Sequence, residues 1–159
     1  MQKITPFLWF NNEAEKAARF YVSVFANSKI IKVVRYSNAG PGKPGSVMTV
    51  EFRILGQEFV ALNGGPVFQF SAATSFVVNC RTQSEVDYYW KKLSAGGKKI
   101  QCGWLTDKFG VTWQIVPTAL IDLLSSGDPE KAARVTRAMM KMIKLDIKKL
   151  ERAARAKTG

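Results

Sequence analysis

The sequence contains no histidine. Without an imidazole, the chain has no His-ligated metal site and no Ser–His or Cys–His nucleophile pair. Acid–base chemistry near neutral pH would therefore need a carboxylate, lysine, tyrosine or cysteine whose pKa is shifted. Cysteine is also scarce, with Cys80 and Cys102 the only two. Two cysteines are not a spaced disulfide framework, so we expect both thiols to be reduced.

Long apolar runs are missing as well. No stretch of the sequence approaches the roughly 20 apolar residues that cross a bilayer. The amino terminus enters strand-like sequence at once and gives no sign of a signal peptide. We therefore predict a cytoplasmic protein that does not bind membranes. The length of 159 residues, with 47% hydrophobic and 23% charged content, fits one ordinary globular domain.

Positive charge is plentiful and unevenly placed. The net charge is +12, and residues 128–159 hold ten basic and four acidic residues, which gives that segment +6. A basic helical segment can attract nucleic acid or anionic lipid, or it can be a solvated helix face. The segment lacks the interleaved aromatic residues on which bases stack. This lack favours the solvated face and argues against a nucleic-acid partner.

The order of predicted elements repeats after about 70 residues. The first half reads strand, helix, and three strands, at residues 4–10, 13–25, 29–36, 46–54 and 57–63. Asn11 or Asn12 could cap the first helix. The second half reads the same way, at residues 74–80, 84–93, 98–101, 103–107 and 111–116, with Ser84 as the predicted helix cap. Such a repeat predicts paired sheets around a shared cleft.

Three helices are predicted after Pro117, beginning with a short one at residues 118–124. Asp128-Pro129 begins the second helix and Asp146 the third. The second carries an apolar stripe, made of Ala132, Val135, Ala138, Met139 and Met142. Its methionines could form an adaptable binding surface or pack in a core or subunit contact. The stripe has no obvious use within the chain, which favours a homodimer.

Residues 102–117 form the stretch on which the functional question depends. The Asp107-Lys-Phe-Gly110 segment between two apolar runs predicts a hairpin, with Gly110 free to take positive φ. In the final strand, alternation places Gln114 on the side opposite Trp113 and Ile115. A polar side chain therefore points away from the helix-packed face.

Several segments resemble a known superfamily. Residues 4–10, Ala17-Ala-Arg-Phe-Tyr21 and Val24-Phe25 resemble the opening module of the vicinal oxygen chelate superfamily, which holds glyoxalases, bleomycin-resistance proteins and extradiol dioxygenases. A more specific resemblance is to the PhnB-like branch, often labelled demethylubiquinone methyltransferase-like. It is found at residues 61–66, 84–90 and 101–117. Residues 142–150 also fit the carboxyl tail of that branch.

The resemblance implies an α+β fold. Paired βαβββ modules would form a cupped mixed sheet, the glyoxalase/bleomycin resistance fold, with helices added at the carboxyl end. Residues 1–117 would hold the two modules, at about 1–66 and 74–117. Residues 118–159 would be a basic helical extension that packs on the same domain or on a dimer partner. Members of this family usually complete their sheets across a homodimer.

Metal-using members of the superfamily place His and Glu ligands on four strands of the cup. The matching positions here are Thr5, Ala61, Ser75 and Gln114. Neutral side chains of these kinds cannot hold a divalent ion against water, so we predict no metal. No Gly-rich strand–turn–helix fingerprint for a methyl-donor cofactor is present either. We therefore predict no cofactor.

Counting alternate residues from those four positions directs a group of aromatic and polar side chains toward the cup. The group consists of Thr5, Phe7, Trp9, Phe59, Ala61, Asn63, Ser75, Val77, Asn79, Thr112 and Gln114. We predict that Thr5, Phe7, Trp9, Phe59, Asn63, Ser75, Asn79, Trp104 and Gln114 bind the ligand. Aromatic walls with a few amides and hydroxyls suit a small, mostly apolar or aromatic ligand. The function expected is metal-free ligand binding; otherwise the same aromatics would fill a collapsed cup.

The alternative is a metal-independent enzyme of the PhnB-like group that acts on a small molecule. Its candidate groups would be Asp107, Lys108, Tyr21 and Cys102. Asp107 could act as a base if it is desolvated, or it could order its own turn. The sequence assigns no catalytic residue.

Overall fold

The protein divides into two compact units, Met1–Phe70 and Ser71–Gly159. The structure is a computed structural model that describes residues 2–156. Within these residues, no helix is both long enough and apolar enough to cross a membrane. Each unit has its own sheet.

The first unit is a four-stranded sheet with one helix packed on it. Its elements are β1 (Phe7–Phe10), α1 (Ala14–Val24), β2 (Lys29–Arg35), β3 (Val47–Ile54) and β4 (Gln57–Asn63). The strand order is β1-β4-β3-β2, with β1 and β4 parallel and the other pairs antiparallel. The predicted strand, helix and three strands are therefore confirmed.

An aromatic stack forms the core between α1 and this sheet. The ring of Tyr21 on α1 stacks on Phe52 of β3, and Phe52 stacks on Phe59 of β4, with centroids 6.0 and 5.4 Å apart. All three side chains are buried. Burying rings of this size contributes much of a small unit's stability, so the stack fixes which face of the sheet meets the helix.

The second unit repeats the same order. Its elements are β5 (Phe76–Cys80), α2 (Gln83–Ser94), β6 (Lys98–Lys99), β7 (Trp104–Thr106) and β8 (Thr112–Pro117). The strand order β5-β8-β7-β6 matches that of the first unit, with β5 and β8 parallel. The predicted repeat is thus confirmed at the level of strand order.

Both predicted helix caps in the two units were wrong. The Thr82 hydroxyl, and not Ser84, accepts the Glu85 amide hydrogen bond at the start of α2. At the start of α1, the Asn63 side chain from β4 accepts from the Ala14 amide at 2.8 Å. A side chain 49 residues away in sequence therefore does what Asn11 or Asn12 was expected to do.

Three helices follow β8, namely α3 (Thr118–Leu124), α4 (Pro129–Met140) and α5 (Ile147–Arg155). The carboxylates of Asp128 and Asp146 accept amide hydrogen bonds and cap α4 and α5, as predicted. The helices share a small core, made of Leu120, Val135, Leu145, Leu150 and Ala154, against which Met139 and Met142 pack. The expectation that the apolar stripe of α4 has no use within the chain was therefore wrong.

The segment between α4 and α5 attaches these helices to the second sheet and to α2. Backbone amides of Cys102 and Gly103 donate to the carbonyls of Met142 and Ile143 at 2.9 and 2.8 Å. The Gln83 side chain of α2 donates to the Leu145 carbonyl and accepts from the Ile147 amide. The carboxyl-terminal helices are thus anchored within the second unit.

Candidate functional site

A hollow of about 390 Å³ lies on the first sheet, largely along the face opposite α1. Phe7 of β1 and Val60 of β4 are register partners there, and Glu51 of β3 is the register partner of Val60. Phe7 is 59% exposed. The hollow is lined by Thr5, Phe7, Ile31, Glu51, Glu58, Phe59 and Val60. This combination offers apolar contact area with two carboxylates at its side.

A β-bulge adds Ile31 to the hollow. The register of β2 and β3 shifts between Ile30 and Lys32, which leaves Ile31 as the extra residue. A bulge of this kind bends the strand and redirects a side chain. Ile31 is consequently exposed, whereas its neighbour Ile30 is half-buried.

The two carboxylates of the hollow differ in their surroundings. Glu58 forms an ion pair with Arg53, and the hydrogen bond from that guanidinium holds the pKa of Glu58 below its ordinary value. Glu51 has no ion pair within residues 2–156. Because Glu58 is neutralised by its partner, the lining is less acidic than its composition indicates.

The predicted phase of β4 was wrong. Ala61 is fully buried, and Phe59 is buried with its ring stacked on Phe52 on the helix-packed face. Phe59 borders the hollow, but its ring does not project into it as expected. The prediction assumed that Ala61 faces the cup and assigned the other residues of the strand by alternation. In the structure, Ala61 is the register partner of the buried Leu8, so it faces the core. Val60 and Glu58 occupy the open face in its place.

Trp9 lies on the open side of β1, as expected, but its polar atom is used within the chain. The indole nitrogen donates to the Gly65 carbonyl at 2.9 Å, and the ring meets Phe68 edge-on at 4.9 Å. A Cβ on Gly64 would stand 2.2 Å from the same ring. The tryptophan therefore holds the Gly64-Gly65 segment by a hydrogen bond and by packing. Its ring leaves room only for glycine at position 64.

Asn63 is likewise occupied by the fold. Its side-chain oxygen accepts a hydrogen bond from the Ala14 amide, and its side-chain nitrogen donates to the Val47 carbonyl at 3.1 Å. The Tyr36 hydroxyl donates to the backbone carbonyl of Asn63 at 2.6 Å. The Asn63 side chain therefore connects β4 to α1 and β3. It does not point toward a ligand as expected.

A loop rich in glycine and proline follows Tyr36. It returns to β3 with the Gly45 amide donating to the Tyr36 carbonyl. Gly42 packs on the Tyr36 ring so closely that a Cβ would stand 2.3 Å away. Beside it is a second, more polar cavity of about 450 Å³, whose lining includes Asn11, Asn12 and Tyr36. Gly40 and Gly42 therefore allow the loop to pack on one aromatic ring.

In the second unit, two residues that were predicted separately to face the cup contact each other. The Gln114 side-chain nitrogen donates to the Ser75 hydroxyl at 2.9 Å. Gln114 is the register partner of Val77 on one side and of Trp104 on the other. Val77 is 49% exposed, and Asn79 is exposed two residues further along the same strand. Ser75, Asn79, Trp104 and Gln114 are thus brought to one sheet, with Gln114 only half-buried.

Asp107 orders its own hairpin. It is buried, and one carboxylate oxygen accepts from the Phe109 and Val111 amides at 2.8 and 3.1 Å. The other oxygen accepts from the Trp113 indole nitrogen at 2.8 Å. A carboxylate with this many donors is stabilised in its charged form. Of the two interpretations of Asp107, the geometry supports the turn.

The other candidate reactive groups take part in packing contacts within their own units. Tyr21 is fully buried in the aromatic stack, and the Lys108 ammonium lies 5.3 Å from the Phe109 ring centroid. Cys102 is half-buried with its sulfur 3.6 Å from that of Met140. Burial raises the pKa of the Cys80 thiol to about 12.

The positions that correspond to metal ligands do not fit a divalent ion. Ala61 is buried and has no donor atom, and Ser75 and Gln114 are neutral groups bonded to each other. Within residues 2–156, no three His, Cys, Asp or Glu side chains come together as a metal site would require. A divalent ion needs several anionic or imidazole ligands.

Sequence reasoning missed four lining residues, namely Ile31, Glu51, Glu58 and Val60. The pairing of Phe52 with Phe59, both large aromatics, was a usable signal that these residues face the core and that Glu51 and Val60 face away. The bulge that exposes Ile31 left no such signal in the sequence.

Comparison with known proteins identifies the family. The sequence model of the 3-demethylubiquinone-9 3-methyltransferase family matches residues 2–116. Among proteins of curated function, none matches the chain.

Solved structures agree with this match. The chain is similar to the PhnB protein from Bacillus cereus, with 39% identity and a TM-score of 0.67 over 73% of this chain and 99% of that one. A Pseudomonas aeruginosa protein has 18% identity and a TM-score of 0.61, covering 74% and 98%. The fosfomycin resistance protein FosX from Listeria monocytogenes shares the fold, at 16% identity and a TM-score of 0.54, covering 73% and 90%. The chain therefore belongs to the PhnB-like, 3-demethylubiquinone-9 3-methyltransferase family and has the glyoxalase/bleomycin-resistance fold.

Proposed function

We propose that this protein binds a small, mostly apolar or aromatic molecule without using a metal. The observation that carries the proposal is the hollow of the first sheet, where Phe7, Ile31 and Val60 present apolar surface to the outside. Exposed apolar side chains grouped in a concavity are typical of ligand sites. A quinone-like ring is one ligand of this class, in agreement with the description of the matched family.

The second sheet offers polar groups of its own to a small molecule, namely Ser75, Asn79 and Gln114. The Gln114 amide can both donate and accept, and its nitrogen already bonds to Ser75. Its carbonyl oxygen would remain available for a ligand hydroxyl or amine. Trp104, the register partner of Gln114, would supply a flat apolar contact.

The test is titration of the full chain with a panel of aromatic and quinone-like compounds, followed by calorimetry. We expect at least one compound to bind, and we expect Phe7→Ala to weaken it at least tenfold, about 1.4 kcal/mol. The matched control is Phe68→Ala, because Phe68 is equally exposed in the same unit but lies outside the hollow. Equal effects of the two substitutions would contradict the proposed site.

We further propose that the protein is a cytoplasmic homodimer. The strand orders leave β1 and β2 at the edges of one sheet and β5 and β6 at the edges of the other. Sheet edges require pairing or cover. Light scattering at micromolar concentration should give twice the chain mass of 17.7 kDa, and a stable species of the single-chain mass would reject the dimer.

A further inference from the structure

The outer face of α5 is mostly basic, with Glu151 at its edge. Successive residues of an α-helix are about 100° apart, so residues at spacings of three, four and seven share a face. Lys148, Lys149, Arg152 and Arg155 follow this spacing, and all four are exposed. Leu150 and Ala154 lie on the opposite face and are buried in the helical core.

Most of these charges have no partner within the described part of the chain. Lys148, Lys149 and Arg152 form no ion pair there, and Arg155 has only a long, exposed one with Glu151 at 3.4 Å. Such an exposed pair contributes little. The helix therefore presents an unneutralised row of positive charge about 10 Å long.

The composition of the extension decides which polyanion fits this face. A helix that lies in a membrane surface needs an exposed apolar face, and the apolar face of α5 is already buried against α3 and α4. Single-stranded nucleic acid is held largely by aromatic stacking, and residues 118–159 contain no Phe, Trp or Tyr. A duplex phosphate backbone requires neither feature, because cation–phosphate contacts alone supply non-specific binding.

We propose that the outer face of α5 binds the phosphate backbone of duplex nucleic acid, without reading its sequence. Each strand of a duplex carries one charge per about 3.4 Å of the helix axis, so a row of about 10 Å along one strand faces about three phosphates. The face lies in the extension, beyond the region matched to the family, and has no residue in common with the hollow of the first sheet. The sequence argued against a nucleic-acid partner because aromatic residues are lacking, but aromatic residues are needed for base stacking and not for contact with phosphates.

The experiment measures the anisotropy of a labelled DNA duplex of about 25 base pairs with the full chain, at about 50 and 200 mM salt. Three phosphate contacts give a slope of about −2.7 in log affinity against log salt, which is about a 40-fold loss of affinity over that range. The triple variant Lys148→Gln, Lys149→Gln, Arg152→Gln should make the slope shallower by about that amount.

The matched control removes three charges from another exposed part of the second unit, with Lys91→Gln, Lys98→Gln and Lys99→Gln. The proposal requires the control to retain binding and the α5 variant to lose it. Equal losses in the two variants would show attraction by net charge alone and would overturn the proposal. No binding of the duplex at the lower salt would also overturn it.

Vesicles of phosphatidylglycerol and a poly(dT) strand of equal charge are the competing probes. Stronger binding to either one, lost in the same α5 variant, would replace the duplex as the partner. Arg152→Lys keeps the charge and should keep the affinity, which separates loss of charge from loss of folding. Circular dichroism and the midpoint of thermal unfolding check that every variant is folded.

Discussion

The two units have the same strand order but use their sheets differently. In the first unit, an aromatic stack fills the space between α1 and the sheet, and the opposite face carries an apolar hollow. In the second unit, a buried carboxylate organises the last hairpin, and the open face carries a hydrogen-bonded hydroxyl and amide. Equal topology therefore does not give equal chemistry, because each face is defined by a few side chains.

The largest expected effect concerns the aromatic stack of the first unit. Phe52→Ala should lower the free energy of unfolding by about 3–5 kcal/mol, because a fully buried ring leaves a cavity that its neighbours cannot fill. Urea unfolding of the full chain gives the value. Phe68→Ala removes an exposed ring of the same size and should cost much less. Similar losses for both would mean that the stack does not hold the first unit together.

The corresponding test in the second unit is Asp107→Asn. The substitution keeps the shape but removes the charge and turns one acceptor into a donor that faces the Phe109 and Val111 amides or the Trp113 indole nitrogen. We expect a loss of about 3 kcal/mol in the free energy of unfolding, since hydrogen bonds to buried charged groups contribute most.

Asp122→Asn is the control for this carboxylate, because Asp122 is exposed on α3. A wild-type stability in Asp107→Asn would contradict the structural role of the carboxylate. If binding activity alone fell, the alternative interpretation of Asp107 as a reactive group would regain support.

A smaller effect is expected at the open face of the second sheet. For a compound that binds there, Gln114→Leu should weaken binding by about 1–3 kcal/mol, because one polar partner is left without a hydrogen bond. The free energy of unfolding should fall by only about 1 kcal/mol, since the Ser75 hydroxyl loses one bond in a half-buried place. Calorimetric titration measures the first quantity. An unchanged affinity would place the polar contact of the ligand elsewhere.

The smallest effect concerns the ion pair between Asp87 of α2 and Lys144. The hydrogen bond from Lys144, followed by that from Gln83, lowers the pKa of Asp87 from its ordinary value of 3.8. A depressed folded-state pKa gives stability that is present above the unfolded-state pKa and is lost as pH falls through the folded-state pKa. The wild type should therefore lose slightly more stability than Asp87→Asn as pH drops below about 4.

Urea midpoints measured at several pH values would show this difference. The effect should be small, because the pair is exposed and water screens it. Lys144→Gln should reproduce the behaviour of Asp87→Asn. If the wild type and the variants showed the same pH dependence of stability, the ion pair would contribute nothing to the attachment of the extension to α2.

Much of the architecture was determined by the sequence itself. Local patterns predicted both βαβββ repeats and the caps at Asp128 and Asp146, because alternation, helical spacing and capping act over a few residues. Alternation also placed Gln114 on the open side of its strand, since Trp113 and Ile115 on its two sides had to be buried.

The tertiary structure decided what local patterns leave open. In β4 both faces carry apolar residues, so a period of two does not say whether Phe59 and Ala61 or Val60 and Leu62 meet the helix, and packing against Tyr21 and Phe52 makes that choice. The bulge at Ile31 and the capping of α1 by Asn63 depend on partners many residues away. These contacts are long-range in sequence, so they stabilise the chain only after the sheet and the helix have packed together.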